Sequence, residues 1–144
     1  MSNIINLQTN QAFHILAEAF FKHQSLPYQR SDMYDLALSL PGEEATPLVL
    51  MPLNQNTGIL LSKVSLDSTI DEEVLRFFMT RNQFNQQSCI QYALNTDQDG
   101  NTHIMAQSQF NLQAIELPDL INIYENYITE LTLISRQLET LKRA

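Results

Sequence analysis

The closing stretch of this 144-residue chain places apolar side chains at Leu117, Leu120, Tyr124, Tyr127, Leu131, Ile134, Leu138 and Leu141, in alternating steps of three and four. Only a helix brings such positions onto one stripe. Pro118 sits at a favoured first-turn position. Acidic Asp119 near the start and basic Lys142 and Arg143 near the end both match the helix dipole. From Pro118 to Lys142 such a helix is roughly 35–40 Å long. Its stripe has to be covered, by a sheet in a two-layer domain or by a partner helix at a heptad seam. The sheet is the preferred reading, because the rest of the chain supplies strands that need a helix over them.

The preceding elements follow from periodicity and punctuation. A first helix is expected from about Thr9, with Thr9 or Asn10 as its cap, to His23. Ala12, Phe13, Leu16, Ala17 and Phe20 form its apolar face, and Ile15, Ala19 and Phe21 widen that face beyond a simple stripe. Surplus apolar surface of this kind marks part of the helix as an interface candidate. Pro27 prevents its continuation. Tyr34, Leu36, Leu38 and Leu40 alternate with Met33, Asp35, Ala37 and Ser39 as a half-buried strand, ending at the Pro41-Gly42 turn. Leu48–Leu53 is a second strand, with Pro52 placing it at an edge or a strand end. Gly58–Val64 is a third, with Ile59 and Leu61 on one face and Leu60 and Val64 on the other. Thr69-Ile70-Asp71-Glu72 reads as a capping box opening a helix to about Asn82, with Ile70, Val74, Phe77 and Phe78 on its apolar face. Ile90, Tyr92 and Leu94, then Ile104, Ala106, Ser108 and Phe110, read as a hairpin across the polar turn Asn95–Asn101. The expected class is therefore α+β, in the order helix–three strands–helix–two strands–helix, with helices packed on an antiparallel sheet. The length suits one domain over residues 1–144.

The net charge of −8 argues against phosphate-backbone partners and anionic lipid, and suits a basic protein partner. A single cysteine, Cys89, excludes an intramolecular disulfide and fits a reducing compartment, where it reads as a small buried hydrophobe. Met1–Asn10 lack a basic stretch followed by an apolar run, so no signal peptide is expected. No run is long enough to span a bilayer. The expected location is cytoplasmic.

No constellation in the sequence carries catalysis. Asn95-Thr-Asp97-Gln-Asp99-Gly100 imitates the first half of an EF-hand loop, but Ala106 stands where the bidentate glutamate belongs, and a hairpin turn explains the same residues. His14, His23 and His103 have no metal-ligand spacing. Three glycines, all at turns, provide no phosphate loop, and no serine sits in a nucleophile elbow. Glu43-Glu44 and Asp71-Glu72-Glu73 are accounted for by a surface turn and a helix start. No enzyme, metal or cofactor is expected.

The element order, from the apolar opening helix around Phe13–Phe21 through the strands Leu36–Leu40 and Gly58–Val64, resembles the class I type III secretion chaperones, which include the Tir chaperone family. The helix Thr69–Asn82, the hairpin Ile90–Phe110 and the acid-led helix from Pro118 extend the resemblance over about Leu7 to Leu141. Many members carry a tryptophan in the last helix region; this chain has none, and Tyr124 and Tyr127 stand there. The resemblance implies a bacterial cytoplasmic homodimer. It would bind the N-terminal segment of a secreted effector in extended form, without ATP hydrolysis, by strand addition and by apolar grooves. On that basis Phe13, Phe20, Phe21, Leu36, Leu38, Ile59 and Leu61 are expected in the effector grooves. Val74, Phe77, Phe78, Ile90 and Tyr92 are expected at the dimer interface. The YbjN-like regulators share much of this architecture and would imply an interaction module with no export client. A small enzyme with an unfamiliar site is the third alternative.

Overall fold

The computed structural model describes residues 11–37, 47–64, 70–82 and 90–143. Expectations placed on Thr9, Asn10, Leu38, Leu40, Pro41-Gly42, Glu43-Glu44, Thr69, Cys89 and the side chains of Lys142 and Arg143 lie outside what it describes. The elements are α1 (Gln11–His23), β1 (Tyr34–Asp35), β2 (Leu48–Pro52), β3 (Thr57–Lys63), α2 (Glu72–Arg81), β4 (Gln91–Thr96), β5 (Thr102–Asn111) and α3 (Leu117–Arg143). The strands form one antiparallel sheet in the order β1-β2-β3-β5-β4.

Register sorts the sheet residues into two faces, because directly opposed residues point the same way. Tyr34, Leu50, Leu60 and Ser108 form one row across the sheet, and Leu48, Ser62, Ala106 and Tyr92 form the next. Every one of these eight side chains is buried. All three described helices meet this face. On α1, His14 reaches Tyr34. On α2, the Phe78 ring lies 5.0 Å from the Tyr92 ring. On α3, the Tyr127 hydroxyl sits on the backbone of β5. The long stripe of α3 therefore covers the sheet, with Leu120, Tyr127, Leu131, Ile134 and Leu138 buried and Tyr124 and Leu141 half-buried.

Several boundaries differ from expectation. The first strand holds ladder geometry only over Tyr34–Asp35, with one more bond from the Leu36 N–H to the Leu48 carbonyl. At Ala37 the backbone turns to φ 52°, and the Asp35 carboxylate accepts the Ala37 N–H at 2.8 Å. A short acidic side chain here takes a backbone donor that a longer ladder would use. The cap of α2 is Asp71, whose Oδ1 accepts the Val74 N–H at 2.9 Å. The expected capping box placed this role on Thr69; Asp71 does it two residues later. Glu116 opens α3, and Asp119 reaches back to accept the Glu116 N–H at 2.9 Å, which is the return half of a capping box.

The buried face of α1 is also rotated from the expected one. Phe13, His14, Ala17, Phe20 and Phe21 are buried, whereas Ala12 is exposed and Ile15 is 61% exposed. Gly58 has a packing reason rather than a turn reason. It sits opposite Phe110, and a Cβ there would collide with the Phe110 ring.

Candidate functional site

Six of the seven residues expected in the effector grooves are described, and they separate onto the two sides of the sheet. Phe13, Phe20, Phe21 and Leu36 are buried on the helix side of the chain. Phe20 packs edge-on against Tyr124 of α3 at 5.1 Å, and Phe21 lies 5.4 Å from Tyr34. Ile59 and Leu61 point the other way, in the rows Met51–Ile59–Gln109 and Val49–Leu61–Gln107–Gln91. Leu38 lies outside the described residues. On this second face Ile59 is buried, while Val49, Met51, Leu61 and Met105 are half-buried. It is an apolar strip bordered by Lys63, Gln91, Gln107 and Gln109.

The five residues expected at a dimer interface form one connected cluster. Phe77 and Phe78 meet edge-on at 5.2 Å, and Phe78 continues to Tyr92. Val74, Phe78, Ile90 and Tyr92 are buried, and Phe77 is half-buried. Burial and the bond to Glu130 both push the Tyr92 hydroxyl well above its ordinary pKa, so it stays protonated and donates to Glu130 Oε2 at 2.6 Å. The Arg81 guanidinium lies 5.4 Å from the Phe77 ring centre and bonds Gln137 of α3. An open groove of about 400 Å³ follows this seam, lined by Glu73, Arg76, Phe77, Thr80, Arg81 and Leu141. Met79 at 70% exposure and Leu94 at 55% belong to the same two elements, and sequence reasoning missed both. The signal for Met79 was available, since it lies roughly 100° from Phe78 and roughly 140° from Val74 around the helix, off the buried face.

A second buried cluster ties α1 to β1. Tyr34 Oη is 2.7 Å from His14 Nδ1, 3.1 Å from Tyr28 Oη and accepts the Ser31 N–H at 3.3 Å. Burial lowers the His14 pKa, with Arg30 adding to the effect and Asp32 opposing it. Burial also raises Tyr34 to about 12, helped by its bond to Tyr28. With a neutral imidazole two arrangements keep every hydroxyl bonded: Tyr34 donates to Nδ1 and accepts from Tyr28 and Ser31, or Nδ1–H donates to Tyr34, which donates in turn to Tyr28 and accepts from Ser31. Sequence reasoning tested His14 only as a metal ligand; its position among core aromatics was hidden by the offset of the helix face.

The Asn95–Asn101 segment is the hairpin turn between β4 and β5. Asp97 Oδ1 accepts the N–H groups of Asp99 and Asn101, and Oδ2 is 3.0 Å from His103 Nε2. The His103 bond is the main cause that holds the Asp97 carboxyl below its usual pKa. Its oxygens are thus engaged by the turn itself. Among the described residues no group of three or more His, Cys, Asp or Glu side chains is arranged to hold a metal ion, and no helix is long and apolar enough to cross a membrane.

No family model matches the chain, and no curated protein matches it by sequence. Solved structures do match its fold. The Yersinia pestis type III secretion chaperone SycH, solved with a stable fragment of YscM2, superposes with a TM-score of 0.61 at 18% identity, over 84% of this chain and 98% of that one. The ExsC–ExsE complex gives a TM-score of 0.69 at 16% identity, over 88% and 93%. The HopA1–SchA chaperone–effector complex gives 0.62 at 12%, over 86% and 93%. The three described helices and five described antiparallel strands thus share the α+β fold of these secretion-chaperone structures.

Proposed function

We propose that this protein is a type III secretion chaperone that binds the N-terminal segment of a secreted effector in the cytoplasm. It keeps that segment soluble and export-competent, and performs no covalent chemistry. The observation that carries this reading is the match of nearly the whole fold to chaperones solved in complex with their protein partners. The surface supports it. An extended segment places alternate side chains on one side. The apolar strip of Val49, Met51, Leu61 and Met105 offers positions for them on the second sheet face. Ile59 underlies that strip. Phe13, Phe20, Phe21 and Leu36 contribute from beneath, by holding α1 and β1 in place. The acidity of the chain favours a client segment with basic residues.

The same reading makes the protein a homodimer through α2 and β4. Phe77 and Met79 would provide the contact area, and Val74, Phe78, Ile90 and Tyr92 the packed layer behind it.

The test is capture of partners from the source bacterium with tagged protein, followed by mass spectrometry and light scattering. The reading requires one dominant secreted partner, held by a dimer through the partner's N-terminal segment. Leu61→Asp should release that partner from a protein that remains folded. A folded dimer with no such partner, or a monomer carrying a metabolite, would overturn the proposal.

A further inference from the structure

Asn82 ends α2 with its backbone and reaches β4 with its side chain. Its N–H donates to the Phe78 carbonyl at 3.1 Å and closes the last turn. Its Oδ1 accepts the Tyr92 N–H at 2.8 Å, and its Nδ2 donates to the Tyr92 carbonyl at 2.7 Å. One side-chain amide therefore takes both backbone groups of one strand residue.

This pairing defines an edge. In an antiparallel ladder both groups of a residue point either toward the neighbouring strand or away from it. Tyr92 stands opposite Ala106 of β5, and its groups go to Asn82, so they point away from β5. By alternation the N–H and carbonyl of Leu94 lie on the same outward side. Among the described strands β4 is the terminal one, and Leu94 is 55% exposed. A terminal strand with outward-facing backbone groups and an exposed leucine is a template for pairing with another chain.

We propose that Asn82 is an edge guard, a built-in competitor that occupies the strand-pairing groups of Tyr92 and so closes β4 to the addition of a further strand. The residue type suits the task. An asparagine amide carries a donor and an acceptor in one plane, as a peptide group does, whereas aspartate lacks the donor and alanine lacks both. The grip is also fixed in register. Phe78 holds the Tyr92 ring and Glu130 accepts from its hydroxyl, so the amide cannot slide along the strand.

The experiment uses the full chain as wild type, Asn82→Ala and Asn82→Asp, with residue-resolved hydrogen exchange and light scattering over a concentration series. In Asn82→Ala the Tyr92 amide should exchange about tenfold faster or more, while amides in α3 keep their protection. Species larger than the wild-type state should then grow with concentration. Adding Leu94→Pro to Asn82→Ala should abolish that growth, because proline removes an outward N–H at a position where an edge strand tolerates it. A general loss of stability would not be cured by a second substitution of this kind. Asn82→Asp, nearly the same in volume, serves if the alanine variant does not fold. It should keep the Tyr92 amide protected yet still associate, through the freed carbonyl. Unchanged Tyr92 exchange in Asn82→Ala, association that persists with Leu94→Pro, or absence of association in both variants would overturn the proposal.

Discussion

Tyr127 and Ser62, separated by 65 positions in the chain, place their hydroxyl oxygens 2.6 Å apart beneath α3. The Tyr127 proton goes to the Ala106 carbonyl at 2.9 Å, so Ser62 must donate to Tyr127. One phenol therefore ties the long helix to both β3 and β5 at a point where the tyrosine is fully buried and the serine nearly so.

Tyr127→Phe should destabilise the fold by about 1–3 kcal/mol, because it removes the partner of the buried Ser62 hydroxyl and the additional bond to the Ala106 carbonyl. Removing the second partner should recover part of the loss, since a matched apolar pair leaves no orphaned hydroxyl. Urea unfolding midpoints of Tyr127→Phe and of Tyr127→Phe/Ser62→Ala check this. A double variant weaker than the single one would count against the bonding scheme.

The His14 cluster predicts sensitivity to mild acid. Burial, then Arg30, lowers the folded-state pKa below the ordinary value of 6.5, with Asp32 opposing. The unfolded chain therefore binds the proton more readily. The stability linked to His14 is complete above about pH 6.5 and falls as the pH drops from there toward the lowered folded value, with a slope of at most about 1.4 kcal/mol per pH unit. Thermal midpoints between pH 5 and 7.5 should show this decline, and His14→Gln should flatten it. Equal slopes in the two proteins would assign the decline to other groups.

Gly58 and Phe110 are complementary, with the ring lying where a side chain at position 58 would be. Gly58→Val should cost about 1–3 kcal/mol through overpacking, and Phe110→Ala about 3–5 kcal/mol through the cavity it leaves. Because the residues touch, the two effects should not add. A double-mutant cycle in urea measures the coupling.

Phe20 has no exposed surface and contacts Tyr124. Phe20→Asp should therefore prevent folding, not merely weaken a client complex, because an unpaired buried carboxylate has no compensating partner. Loss of the far-ultraviolet circular dichroism spectrum reports it. A folded Phe20→Asp variant with reduced partner capture would return Phe20 to an open groove. The contrasting change on the second sheet face, Leu61→Asp, should leave the unfolding free energy within about 1 kcal/mol of wild type.

The sequence by itself determined the order of the elements and their types. The three-four stripe from Leu117 to Leu141, the alternation in Gly58–Val64 and in Ile104–Phe110, and the polar turn at Asp97–Gly100 depend on local period and local turn chemistry. Each of these elements is present. Tertiary structure decided what no local period encodes: which side of the sheet the helices cover. A strand presents two faces, and sequence alternation separates them without saying which one faces the helices. Phe20 and Leu61 therefore read alike as apolar groove residues, yet one is sealed against α3 and the other lies on the opposite face of the sheet. Pairings across long chain separations were equally invisible: His14 with Tyr34, Asn82 with the backbone of Tyr92, and Tyr127 between Ser62 and Ala106. Each joins a side chain to a partner placed beside it only by the packing of helix on sheet, and a hydrogen bond is set by distance in space, not by position along the chain.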